Sequence, residues 1–81
     1  MPRIEAMYAF VVEDDGPDDE DVVARMLPSG GWMPLVGADT ERVKSLHVEA
    51  QFMANVLGKP IKVLRFSERT QIDTIEPKKE V

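Results

Sequence analysis

Asp18-Asp19-Glu20-Asp21-Val22-Val23-Ala24-Arg25-Met26-Leu27 admits two periodicities, and the choice between them sets the topology of the chain. At helical spacing Val22, Val23, Met26 and Leu27 share a face, and Asp18 stands as the N-cap. Asp19, Glu20 and Asp21 then fill the first turn, where the helix dipole favours anions, and Pro28 ends the helix. At strand spacing Val22, Ala24 and Met26 alternate with Val23, Arg25 and Leu27, and Pro28-Ser29-Gly30-Gly31 becomes a hairpin turn into the next strand. The capping chemistry favours the helix, which is the expectation here, with the hairpin as its alternative.

On the N-terminal side, residues 4–12 read as a strand with Ile4, Ala6, Tyr8, Phe10 and Val12 on one face and Met7, Ala9 and Val11 on the other. A strand apolar on both faces belongs at the centre of a sheet. Gly16-Pro17 breaks the chain after it. On the C-terminal side, residues 32–36 form a short strand in which Pro34 cannot donate to a ladder, which places it at an edge. A helix over residues 40–57 follows, with Asp39 or Thr40 as its cap, Gly58 as its left-handed stop and Pro60 barring continuation. Residues 61–66 form the last strand. Ser67 is placed to cap a short helix over 68–75, with a strand as the alternative, and residues 77–81 are expected to fray.

The expected fold is therefore α+β, with a small α/β fold as its variant, in one domain spanning residues 1–76. A three- or four-stranded sheet is built from 4–12, 32–36 and 61–66, with 22–27 as the optional member, and one long helix packs on it. The order is β-α-β-α-β if 18–27 is helical and β-β-β-α-β if it is a strand.

The long helix carries two apolar stripes. At about 100° per residue, Val43, Leu46, Ala50, Met53, Ala54 and Leu57 make an ordinary core-facing stripe. Val48, Phe52 and Val56 lie on the opposite side, and each such side chain left in water forfeits about 1.5–3 kcal/mol. This second stripe is read as an interface with another copy of the chain, the alternatives being cover by residues 68–75 folding back and plain exposure.

Composition narrows the chemistry. The 81 residues include no cysteine and one histidine, which excludes thiolate sites and a multi-histidine metal site within one chain. No apolar run approaches the roughly 20 residues that span a bilayer, and Met1 to Glu5 lack a signal pattern. A cytoplasmic location without membrane contact is the expectation. Residues 13–21 hold seven of the fifteen acids, so the net charge of −5 comes from one acidic stretch on a slightly basic body. Lys59, Lys62, Arg65 and Arg69 are too few, and too diluted by Glu68, to suggest nucleic-acid binding.

The acidic stretch, with Asp14, Asp15, Asp18 and Asp19, is a docking patch for another protein or a solvated turn. Its spacing fails that of a helix-loop-helix calcium loop, and no metal or cofactor is assigned. Phe10-Val11-Val12-Glu13-Asp14-Asp15 followed by Asp18-Asp19 is similar to the start of phosphorelay receiver domains, whose paired acids hold magnesium. The likeness covers only the first strand and its loop. A third-strand phosphoacceptor and the later Thr/Ser and Lys positions are lacking, so no site is carried over.

His47 has no nucleophile or orienting carboxylate at a recognisable spacing, and Gly30-Gly31 lacks the rest of a phosphate-loop pattern. Trp32, the one tryptophan, is expected to anchor the core, with a ligand platform as the alternative. No catalytic residue is assigned. The functional expectation is a non-catalytic interaction or accessory protein acting as a homo-oligomer. Its alternative is a small-molecule binder with Tyr8, Trp32, Phe52 and Met53 lining a pocket between sheet and helix or at a subunit interface.

Overall fold

The computed structural model describes residues 3–78. β1 (Met7–Glu13) lies at the centre of a four-stranded antiparallel sheet with β2 (Glu20–Val22), β5 (Val36–Gly37) and β6 (Lys62–Phe66). β3 (Ala24–Leu27) and β4 (Gly31–Pro34) form a separate two-stranded ladder, and α1 (Thr40–Leu57) packs on one face of the larger sheet. The architecture is α+β, a small sheet with one helix on it.

The register explains the order. β1 pairs with β6 from Met7↔Phe66 to Val11↔Lys62. Its other edge is shared, with β5 beside Tyr8 and Ala9 and β2 beside Val11, Val12 and Glu13. The two meet at Phe10, where three backbones close a ring of hydrogen bonds. The Phe10 N–H donates to the Leu35 carbonyl (3.1 Å), the Leu35 N–H to the Val23 carbonyl (2.8 Å), and the Val23 N–H to the Phe10 carbonyl (2.8 Å). All three residues are buried, so the ring satisfies polar groups that the splitting of the ladder would otherwise orphan. Beyond it, β3 and β4 continue outward as a hairpin arm from Ala24↔Pro34 to Leu27↔Gly31.

The helix expected over 18–27 does not form. Those residues are strand on both sides of Val23, and the hairpin alternative with its turn at Pro28-Ser29-Gly30-Gly31 is the correct one. A helix there would have left the edge of β1 at Val11–Glu13 without partners, whereas β2 supplies a ladder and puts β-branched Val22 and Val23 in extended backbone. Residues 32–36 divide at the junction, and Pro34 sits on the two-stranded arm, where its missing N–H costs no central ladder bond.

α1 follows its local signals. The Asp39 carboxylate accepts from the Arg42 N–H at 2.8 Å, and Gly58 ends the helix at φ +65°, with its N–H donating to the Ala54 carbonyl. Leu46 and Ala50 pack with Phe10, Val12, Val23 and Leu35, and Val43, Met53, Met33 and Ile61 lie at the margin. The helix comes close over β5 because Gly37 has no side chain; a Cβ there would lie 2.9 Å from Arg42 Cγ.

Two outlying segments differ from expectation. Residues 67–78 have no regular structure, neither helix nor strand, and Ile72 and Ile75 are 93% exposed. Ile72 and Ile75 meet no apolar face to fold against, so helical spacing alone does not order the segment. Of the tail 77–81, only 77 and 78 fall within the described residues. The Cα radius of gyration is 15.8 Å, against about 12 Å for a compact domain of this length.

Candidate functional site

The side-chain alternation of β1 sends Phe10 and Val12 toward α1 and Ala9 and Val11 to the other face, where Val22, Val36, Leu64 and Phe66 stand beside them. On that second face Ala9 and Val11 are buried, whereas Val22 and Phe66 beside them are exposed. At its end Glu13 and Glu20 are directly opposite each other, a like-charge pair that destabilises a ladder. Lys62 resolves it, with Nζ 2.9 Å from Glu20 and 3.7 Å from Glu13. Its ammonium is held above the ordinary lysine value, chiefly by the hydrogen bond to Glu20; partial desolvation opposes this and the attraction of Glu13 adds to it.

On the helix side, α1 leans over β5 and leaves β6 beyond its footprint. Ala50 and Ala54, one turn apart, end at Cβ and leave a notch. The result is a groove of about 340 Å³ lined by Phe10, His47, Ala50, Gln51, Ala54, Pro60, Ile61 and Val63. Polar and apolar surface line it in equal measure, with the His47 imidazole and the Gln51 amide as its polar side chains. The His47 ring meets Phe10 edge-on at a centroid distance of 5.4 Å. An arrangement of this kind can hold a small apolar body with one polar contact.

The sequence-predicted residues do not converge on this groove. Tyr8 is half-buried on β1 opposite Gly37 and Arg65, and Met53 packs at the margin of the core. Trp32 is 64% exposed on the arm opposite Met26, so it does not anchor the core. It lies past the junction, where no second layer exists to bury it. Val48, Phe52 and Val56 are 73%, 57% and 62% exposed, and residues 68–75 do not cover them. The groove was missed because Ile61 and Val63 look like ordinary strand residues. The alanine pair at 50 and 54 facing an apolar strand is the signal that marks the notch.

The acidic loop is organised by its own backbone. The Asp14 N–H donates to the Asp19 carbonyl at 2.9 Å, and the Asp15 N–H to the Asp19 carboxylate at 3.3 Å. Lys59 Nζ reaches across to the carbonyls of Glu13 and Asp14. Asp14, Asp15, Asp18 and Asp19 point into solvent, and no group of acids and histidine among the described residues is arranged to hold a metal ion. No helix of the described residues is long and apolar enough to cross a membrane. No protein-family model, curated protein or solved structure matches the chain.

Proposed function

We propose that the chain is a non-catalytic interaction or accessory module that works as a homo-oligomer. The observation that carries this reading is the outer stripe of α1, where Val48, Phe52 and Val56 stand in solvent with none of the described residues over them. Burying each such side chain against a second copy is worth about 1.5–3 kcal/mol, the scale that drives association of small domains. The acidic stretch 13–21 is the second docking feature, open to a basic protein partner. A cytoplasmic setting fits a chain without cysteine. Sedimentation of wild type beside Phe52→Glu tests the reading. The wild type is expected above monomer mass and the variant below it in assembly state, and monomer mass for both removes the proposal.

A second reading, binding of a small apolar molecule, is favoured by the groove between α1 and β6. A ligand seated there raises the melting temperature, because it binds the folded state alone. Ala54→Phe fills the notch and is expected to abolish that rise while leaving the fold intact. A panel of apolar ligands without any effect on wild type excludes this reading.

A further inference from the structure

We propose that the free edge of β6 docks a second copy of this chain, strand to strand and antiparallel about Leu64, as an interface separate from the outer stripe of α1. The backbone polarity follows from the ring at Phe10. Phe10 spends both its N–H and its carbonyl on Leu35 and Val23. In an antiparallel strand the direction alternates, so Ala9 and Val11 bond toward β6, and Leu64 and Lys62 bond back. The N–H and carbonyl groups of Val63 and Arg65 therefore point outward, where β6 has no partner among the described residues.

Two of the other free edges are guarded, and β6 is longer than the third, that of the four-residue β3. β2 is three residues long and carries Glu20 and Asp21, and β4 ends in Pro34. β6 runs Lys-Val-Leu-Arg-Phe without proline or glycine, and the charge of Lys62 is drawn onto Glu13 and Glu20.

Charge selects a second copy and its direction. The Lys62 end of β6 adjoins Glu13, Glu20, Asp21 and the acidic loop, whereas the Phe66 end carries Arg65 and, beyond it, Arg69, with Glu68 as the one acid between them. Arg65 makes no ion pair among the described residues. A two-fold axis at Leu64 brings the acidic end of each copy to the basic end of the other. A parallel arrangement would stack the two acidic ends. The same axis pairs the whole of β6, with Val63 and the partner's Arg65 exchanging two hydrogen bonds on each side of Leu64. It also joins the half-buried Leu64 and the exposed Phe66 of the two copies into one apolar face. Val63 lines the groove, so the partner's Arg65, directly opposite it on the same face, adds a guanidinium to the groove's open side.

Two Leu64 residues in such a non-hydrogen-bonded pair have Cα atoms about 4.5 Å apart, within the range of a disulfide. The chain has no cysteine of its own, so Leu64→Cys is a clean probe. Under mild oxidation it is expected to give covalent dimer at least tenfold faster than Gln51→Cys, both in the wild-type background and with Phe52→Glu. The second background separates this inference from the helix-stripe reading, because it removes that stripe and leaves β6 untouched. Val63→Pro deletes an outward N–H without touching the ladder to β1, and is expected to slow the cross-link tenfold with the circular dichroism unchanged. Arg65→Glu, which reverses the charge at the basic end, is expected to slow it too, most at low salt, and serves if the proline variant unfolds. Cross-linking no faster than Gln51→Cys overturns the inference, as does a rate that neither Val63→Pro nor Arg65→Glu changes. Wild-type oligomers that persist without a Leu64→Cys cross-link would overturn it while leaving self-association standing.

Discussion

The inner and outer faces of α1 carry the same kind of sequence and meet opposite fates. Leu46 and Ala50 are buried against Phe10, Val12, Val23 and Leu35, whereas Val48, Phe52 and Val56 on the same helix are wet. Apolarity alone does not distinguish the stripes. What does is fit: the inner stripe comes close to the sheet where Gly37 lies beneath Arg42 and Leu46, and a stripe centred on Phe52 could not approach so closely. A second apolar stripe on a short chain is therefore not by itself a mark of the protomer's core.

The largest effect that would break the comparison lies at Leu46. Leu46→Ala is expected to cost about 2–5 kcal/mol in urea unfolding, a large part of the stability of so small a domain. Phe52→Ala should stay within about 0.5 kcal/mol when measured at concentrations where the protomer is alone. Equal losses for the two would show that the outer stripe is covered within the protomer. Gly37→Val comes next, at about 1–3 kcal/mol, because its branched side chain must displace Arg42 and Leu46. A neutral result would mean that close approach does not select the inner face. Asp39→Ala, which removes the cap but touches neither stripe, should cost about 1 kcal/mol by the same measurement.

The smallest effect is a pH dependence on the face of the sheet turned away from α1. Lys62 is held above the ordinary lysine value of 10.5, so its contribution is complete below that pH and is lost as pH rises through the folded value. The difference in urea midpoint between wild type and Lys62→Met should be constant at neutral pH and shrink at strongly alkaline pH. A difference that grows with pH would reverse the assignment.

Legibility in the sequence followed the range of the forces involved. α1 was readable from Asp39, Gly58 and Pro60, and the central place of β1 from its two apolar faces, because caps and alternation act over a few residues. The segment 18–27 was misread because its acidic start offers a helix dipole a good first turn. What it does instead is answer the open edge of β1, a partner on the other side of the acidic turn that a helix's local signals do not register. Trp32 was misread for a related reason: its size suggests a core, but the ring at Phe10, Val23 and Leu35 sends its strand away from one. Only the alanine pair at 50 and 54 hints at the groove in the sequence, and its lining was not legible, since it is the space left when α1 settles over Gly37 and not over Val63.

From its sequence alone, then, this protein is bound to have one well-capped helix, a two-faced central strand, a concentrated acidic turn and more apolar surface than one short chain can hide. Tertiary structure decided which stripe of the helix is core, where the hairpin 20–37 splits to clamp β1, and which strand edge is left open. Those outcomes rest on backbone hydrogen bonds and close contacts between residues far apart in the chain, and local propensity carries no record of them.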